Sequence, residues 1–113
     1  VHELSITQSI VDAVSDRLPD ARVVGVRLEI GALAGIEVDS VRFCFDLLTE
    51  GTNLAGARLR IEQPGGRFRC RPCGAEFDHD DLLAVCGCGS VDVAVLSGAE
   101  LRIMSVEVAA GVG

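Results

Sequence analysis

Cys70-Arg71-Pro72-Cys73 and Cys86-Gly87-Cys88 gather four of the chain's five cysteines into one short stretch. A thiolate is a good zinc ligand, and two cysteine pairs on facing turns close a tetrahedral four-sulfur site with Zn–S distances of about 2.3 Å. Gly74 and Gly89 follow the second cysteine of each pair, where a residue free of Cβ lets the backbone curl round a metal and aim amides at the sulfurs. The pairs differ in spacing, since Gly87 alone separates Cys86 from Cys88. Glycine permits the unusual turn such a spacing needs, and His79, between the pairs, is the alternative fourth ligand. The reading is a structural zinc site on Cys70, Cys73, Cys86 and Cys88. Two disulfides are the competing reading. No secretory or transmembrane segment precedes the cluster, so the expected compartment is a reducing cytoplasm, where clustered thiols are more often metal-bound.

Outward from that stretch, 113 residues allow one ordinary domain or a small core domain with a metal-stapled appendage. Apolar residues are 49% of the chain and aromatics 4%, without Trp or Tyr, so the core is built from Val, Leu, Ile and Ala. The formal charge is −7, there is no Lys, and the arginines are spread along the chain. Nucleic-acid affinity rests on cationic side chains and stacking platforms, so this composition argues against that class. An acidic surface suits cations and basic protein partners instead.

Before the cysteines, residues 4–18 read as an amphipathic helix, with Ile6, Ile10, Val11, Val14 and Leu18 on one face. Ser5 and Gln8 fit a capping box, and Pro19-Asp20 ends the helix. From Arg22 to Ile30 the period changes to two, the mark of a half-buried strand. Gly31-Ala-Leu-Ala-Gly35 is a connection, and Asp39 or Ser40 caps a second helix running to about Glu50. Its stripe is Val38, Val41, Cys44, Phe45 and Leu48, with Cys44 expected to be a small buried hydrophobe. Ala57–Gln63 is a second alternating strand, broken by Pro64-Gly65-Gly66. Arg67-Phe68-Arg69 and Val91–Val95 read as short ribbon strands beside the cysteine turns, and residues 100–108 as the last strand of mixed parity. The expected fold is α+β: a three-stranded antiparallel sheet covered by two helices, with an inserted zinc-ribbon-like zinc-binding subdomain. That subdomain is residues 67–96, and residues 1–66 with 97–113 form the α+β domain.

His2 stands beside the α-amine of Val1, with Glu3 next to it. An amine, an imidazole and deprotonated backbone amides surround a cation with nitrogen donors in one plane, which suits Ni(II) or Cu(II). From chemistry alone this signal is weak, since a second-position histidine is usually an ordinary solvated side chain.

His2-Glu3-Leu4-Ser5-Ile6, Gly31-Ala32-Leu33 after a strand, Phe43-Cys44-Phe45-Asp46 in the second helix, the cysteine turns and Gly98-Ala99-Glu100-Leu101-Arg102-Ile103 together resemble the HypA family. The resemblance runs in order over essentially the whole chain. It implies a nickel metallochaperone for maturation of NiFe hydrogenase and, in some organisms, urease; with no nucleophile and base pair and no glycine-rich phosphate loop in the sequence, no turnover chemistry is expected. It further implies nickel binding at the N-terminus through His2, Glu3 and Val1, and structural zinc on Cys70, Cys73, Cys86 and Cys88. The partners it implies are a HypB-type GTPase, the hydrogenase large-subunit precursor and urease maturation proteins, with no nucleic acid and no membrane. Two departures stand out: Val1 occupies the family's Met position, and the second cysteine pair is one residue shorter. Removal of an initiator Met ahead of Val1 would again leave histidine second.

Other classes fit less of the sequence. A zinc-ribbon adaptor or nucleic-acid-binding module explains the cysteines but not the charge. A thiol oxidoreductase would place a helix after Cys70 and Cys73, where Gly74 and a charged stretch stand.

Overall fold

The structure, a computed structural model, describes residues 2–110. Helix α1 spans Glu3–Arg17, strand β1 Val23–Ile30 and helix α2 Val38–Thr49; then come β2 (Arg58–Glu62), β3 (Gly66–Cys70), β4 (Glu76–His79), β5 (Val93–Ser97) and β6 (Leu101–Val108). The class is α+β, with two three-stranded sheets ordered β2-β1-β6 and β4-β3-β5. The chain forms two compact units: Val1–Leu28, Ile36–Ile61 and Ile103–Gly113 make the first, and Glu29–Gly35 with Glu62–Arg102 the second.

In the first unit the helices pack on each other. The apolar period of α1 buries Ile10, Val11 and Val14 with Thr7, and that of α2 buries Val41 and Phe45 with Thr49. Both buried threonines satisfy their hydroxyls within the helix, Thr7 Oγ1 donating to Glu3 O at 2.6 Å and Thr49 Oγ1 to Phe45 O at 2.7 Å.

Both helix starts differ from expectation. His2, extended at φ −100° and ψ 97°, is the N-cap of α1. Ser5 therefore lies inside the helix, where its carbonyl accepts from Ser9 Oγ, while the Gln8 amide turns to Asp12 Oδ1. The capping box does not form. Likewise α2 begins from Glu37 rather than from Asp39 or Ser40, and the Glu37 side chain makes no cap bond.

Strand β1 lies in the centre of its sheet, and Val23, Gly25, Val26, Leu28 and Ile30 are buried along it. Beside it β6 runs antiparallel, since Ala109 N–H donates to Arg22 O at one end and Gly31 N–H to Glu100 O at the other. The relation of β1 to β2 corrects the expected all-antiparallel sheet. Val23 N–H, at the start of β1, reaches Asn53 O ahead of β2, and Ala32 N–H, beyond β1, reaches Pro64 O beyond β2, so they run the same way. A crossover through a helix, as α2 makes between β1 and β2, is the kind of connection a parallel pair requires.

The second unit is organised on β3, which pairs antiparallel with β4 and β5. Phe68 is its apolar centre, buried with Leu33 and Ala84, with Phe77 and Val93 packed against them. The Phe68 and Phe77 rings stack at 5.6 Å. Strand β4 had no counterpart in the sequence reading, and Leu33 makes the Gly31–Gly35 connection part of a core. No helix among the described residues is long and apolar enough to cross a membrane.

Candidate metal centres

The β3 strand delivers Cys70 at its last residue, and Gly74 N–H closes the following turn on Cys70 O at 2.8 Å. Gly74 has φ +77°, a left-handed value that glycine adopts without strain. The second turn repeats the design one residue shorter: Gly89 N–H closes on Cys86 O at 2.8 Å, with Gly89 at φ +91°. That is how Cys86-Gly87-Cys88 accommodates its spacing. The special conformation sits at Gly89, after the pair, and Gly87 has no positive φ. The expectation that Gly87 supplies the unusual turn is thus corrected.

These turns bring the sulfurs of Cys70, Cys73, Cys86 and Cys88 all within 4.8 Å of one another. Cys70 Sγ lies 3.6 Å from Cys88 Sγ, and Cys73 Sγ 3.6 Å from Cys86 Sγ. A tetrahedron with about 2.3 Å Zn–S bonds has edges near 3.8 Å, whereas a disulfide bond is about 2.05 Å. The spacing fits a four-thiolate metal site, and all four are free thiols. His79 lies outside the group: it is exposed, and its Nδ1 accepts the Asp81 N–H at 3.1 Å.

Electrostatics agree with a cation at the centre. The Cys73 N–H, aided by the surrounding thiols against burial, lowers the Cys70 thiol to about 7. At Cys86 the Cys88 N–H also favours the thiolate, but burial and the other three sulfurs outweigh it and push the thiol up to about 12. Four sulfurs this close cannot all carry charge unless a cation shares it.

The N-terminal arm is built differently. His2 is exposed at the start of α1. Glu3 turns its carboxylate to the start of α2, where Oε2 accepts the Glu37 N–H at 3.0 Å. That bond and the amide of Glu3 itself hold its carboxyl below the ordinary range. Val1 lies outside the described residues. His2 and Glu3 share a shallow hollow with Asp39, Ser40, Phe43 and Cys44 from α2. Cys44 is half-buried and lines this hollow, so it is not the fully buried hydrophobe expected. Asp39, read in the sequence only as a helix cap, is the carboxylate that sequence reasoning missed. Its nearness to His2 depends on the packing of α2 beside α1, which no local pattern encodes.

The family model for hydrogenase/urease nickel incorporation metallochaperones, HypA, matches residues 1–108. The hydrogenase maturation factor HypA of Nostoc sp. (strain PCC 7120) is 46% identical over 108 residues, 96% of each chain. That of Chlorobaculum tepidum is 44% identical over 109 residues, 93% of this chain and 96% of its own. The solution structure of the Ni metallochaperone HypA from Helicobacter pylori superposes with a TM-score of 0.66 at 22% identity, covering 98% of this chain and all of that one, a likeness of fold. The chain, with its paired cysteine turns and a first helix that begins from His2, belongs to the HypA family of hydrogenase maturation factors and nickel metallochaperones.

Proposed function

We propose that this chain carries Ni(II) on its N-terminal arm, through Val1, the His2 imidazole and the main chain of Glu3, and keeps Zn(II) on Cys70, Cys73, Cys86 and Cys88. The observation that carries the nickel reading is where α1 begins. Its first helical bond runs from Ile6 N–H to His2 O at 3.1 Å. The amides just before Ile6, that of Glu3 included, have no carbonyl partner within the helix. An amide at that position can lose its proton to a metal without breaking a helical bond, and the positive end of the helix dipole favours that loss. With the His2 imidazole these amides supply nitrogen donors for the planar set that Ni(II) prefers.

The zinc, when bound, is a structural cross-link between the two turns. Four thiolates fill its tetrahedron, so this centre offers no open position for cargo. Nickel, by contrast, sits on an exposed arm from which a partner can take it. The sequence has no glycine-rich phosphate loop and no nucleophile and base pair, so the chain does no turnover chemistry. Nucleotide hydrolysis is assigned to a HypB-type GTPase partner in the cytoplasm. The acceptor is the NiFe hydrogenase large-subunit precursor, with urease maturation proteins as a second destination.

The test is metal titration of protein whose free N-terminus is Val1. His2→Ala is expected to abolish stoichiometric Ni(II) binding while zinc stays at one per chain. Nickel affinity unchanged in that variant would sink the assignment.

A further inference from the structure

We propose that the Glu3 side chain is a positioning group and not a nickel ligand: its carboxylate is the N-terminal cap of α2 and ties the metal-binding arm to that helix. The inference rests on the nickel reading above. Three observations on separate elements converge on it. The Glu37 N–H donates to Glu3 Oε2 at 3.0 Å, across 34 residues of chain. Glu37, the N-cap residue of α2, makes no side-chain cap bond of its own, so the cap comes from α1. And Glu3 is held at its own backbone, because its carbonyl accepts Thr7 Oγ1–H at 2.6 Å from a fully buried threonine.

The consequence is a division of labour within one residue. The main-chain N–H of Glu3 is held by no helical carbonyl, only by its own carboxylate, and that carboxylate is committed to the start of α2. A carboxylate that coordinates a metal gives up an oxygen to do so, and the first turn of α2 would then lose the acceptor that completes it. Held as it is, Glu3 fixes the direction in which α1 enters, and so fixes where His2 projects over the hollow it shares with Asp39 and Cys44. Preorganising a short arm in this way lowers the ordering cost of closing a planar donor set around an ion.

The bond can be broken from either end, which separates a strut from a ligand. Glu3→Gln keeps a carbonyl acceptor for the Glu37 amide but loses the anionic oxygens that a metal would use. Glu3→Ala loses both. Glu37→Pro removes the N–H donor alone: Glu37 has φ −79°, within the range proline fixes, and its carbonyl still accepts from Val41 N–H at 3.1 Å.

The experiment has two arms on the full chain, loaded with zinc and checked for folding by circular dichroism. In the first, without nickel, hydrogen exchange of the Glu37 amide is followed by NMR. Glu3→Ala is expected to speed it at least tenfold and Glu3→Gln to leave it within threefold of wild type. In the second, Ni(II) alone is titrated and the visible absorption of the planar complex recorded. Glu3→Gln should retain the wild-type band and an affinity within threefold. Glu3→Ala and Glu37→Pro should each weaken binding five- to twentyfold, and their combination no further than either alone. The proposal is overturned if Glu3→Gln loses nickel as severely as Glu3→Ala while Glu37→Pro binds it normally, the pattern of a side-chain ligand. It is equally overturned if the Glu37 amide exchanges at the same rate in Glu3→Ala as in wild type. Failure of the wild-type chain to bind nickel at all would refute the carrier reading, and the exchange arm then decides the strut by itself.

Discussion

Gly87 and Gly89 stand on either side of Cys88, yet the turn demands different things of them. Gly89 has φ +91°, and a side chain there would be strained by roughly 1–2 kcal/mol. Gly87 has no positive φ, and a Cβ added to it would meet nothing within 4 Å. Gly87→Ala is therefore expected to keep full zinc and to raise stability slightly, by about 0.4–1 kcal/mol, through its less flexible unfolded state. Gly89→Ala should instead surrender zinc faster to a competing chelator and melt earlier. Zinc-release kinetics of the two variants check this, and equal behaviour would contradict the assigned geometry. A one-residue spacing was legible in the sequence as an irregularity. Its solution was not, because two glycines two positions apart look alike until their dihedral angles are known.

At the scale of elements, what periodicity encodes was readable and what long-range bonding decides was not. The apolar face of α1 follows from spacing alone, as does that of β1 from Val26 onward, whereas at the start of β1 Val23 and Gly25 are buried and Val24 is only half-buried. Helix starts do not: the α2 cap comes from Glu3, so Asp39 and Ser40, good local candidates, were left in the first turn. Strand β4 escaped for a related reason. Glu76-Phe77-Asp78-His79 has a single apolar residue, and pairing with β3 makes it a strand, helped by Arg67–Asp78 and Arg69–Glu76 ion pairs at 2.7 Å. Asn53 shows the same logic at the far end of α1. Its Nδ2 donates to Leu18 O at 2.7 Å and to Ala21 O at 2.8 Å, and its Oδ1 accepts Ser15 Oγ–H at 3.0 Å. One side chain thus satisfies the end of α1 and the turn into β1, while its carbonyl takes the Val23 N–H at 2.9 Å. Net values near 1 kcal/mol per bond put Asn53→Ala at roughly 1–3 kcal/mol of lost stability. Urea unfolding followed by helical circular dichroism should show the midpoint fall. A midpoint unmoved would mean that water replaces these bonds at no cost.

At the scale of the whole molecule, the two units draw on different sources of stability. The first buries Ile10, Val11, Val14, Val23, Val26, Leu28, Val41, Phe45 and Leu54, an apolar set typical of a self-supporting core. In the second, the buried cluster is Leu33, Phe68 and Ala84, with Phe77 and Val93 against it. Full burial of a large apolar side chain is worth about 1.5–3 kcal/mol, and ordering costs about 1–2 kcal/mol per residue in the backbone alone. So small a cluster does not offset the ordering of its unit. A four-thiolate zinc site would add about 10–16 kcal/mol on the favourable side. Stripping zinc with a chelator under reducing conditions is therefore expected to unfold the second unit and spare the first. Hydrogen exchange read residue by residue should show amides of β3, β4 and β5 accelerating by at least a hundredfold, with those of the buried stripes of α1 and α2 within about threefold of their starting rates. Readdition of zinc should restore protection in β3–β5. Equal acceleration in both units would show that the metal supports the first core as well, and slow exchange persisting in β3 after complete zinc loss would show that Phe68 and its neighbours hold the second unit without it.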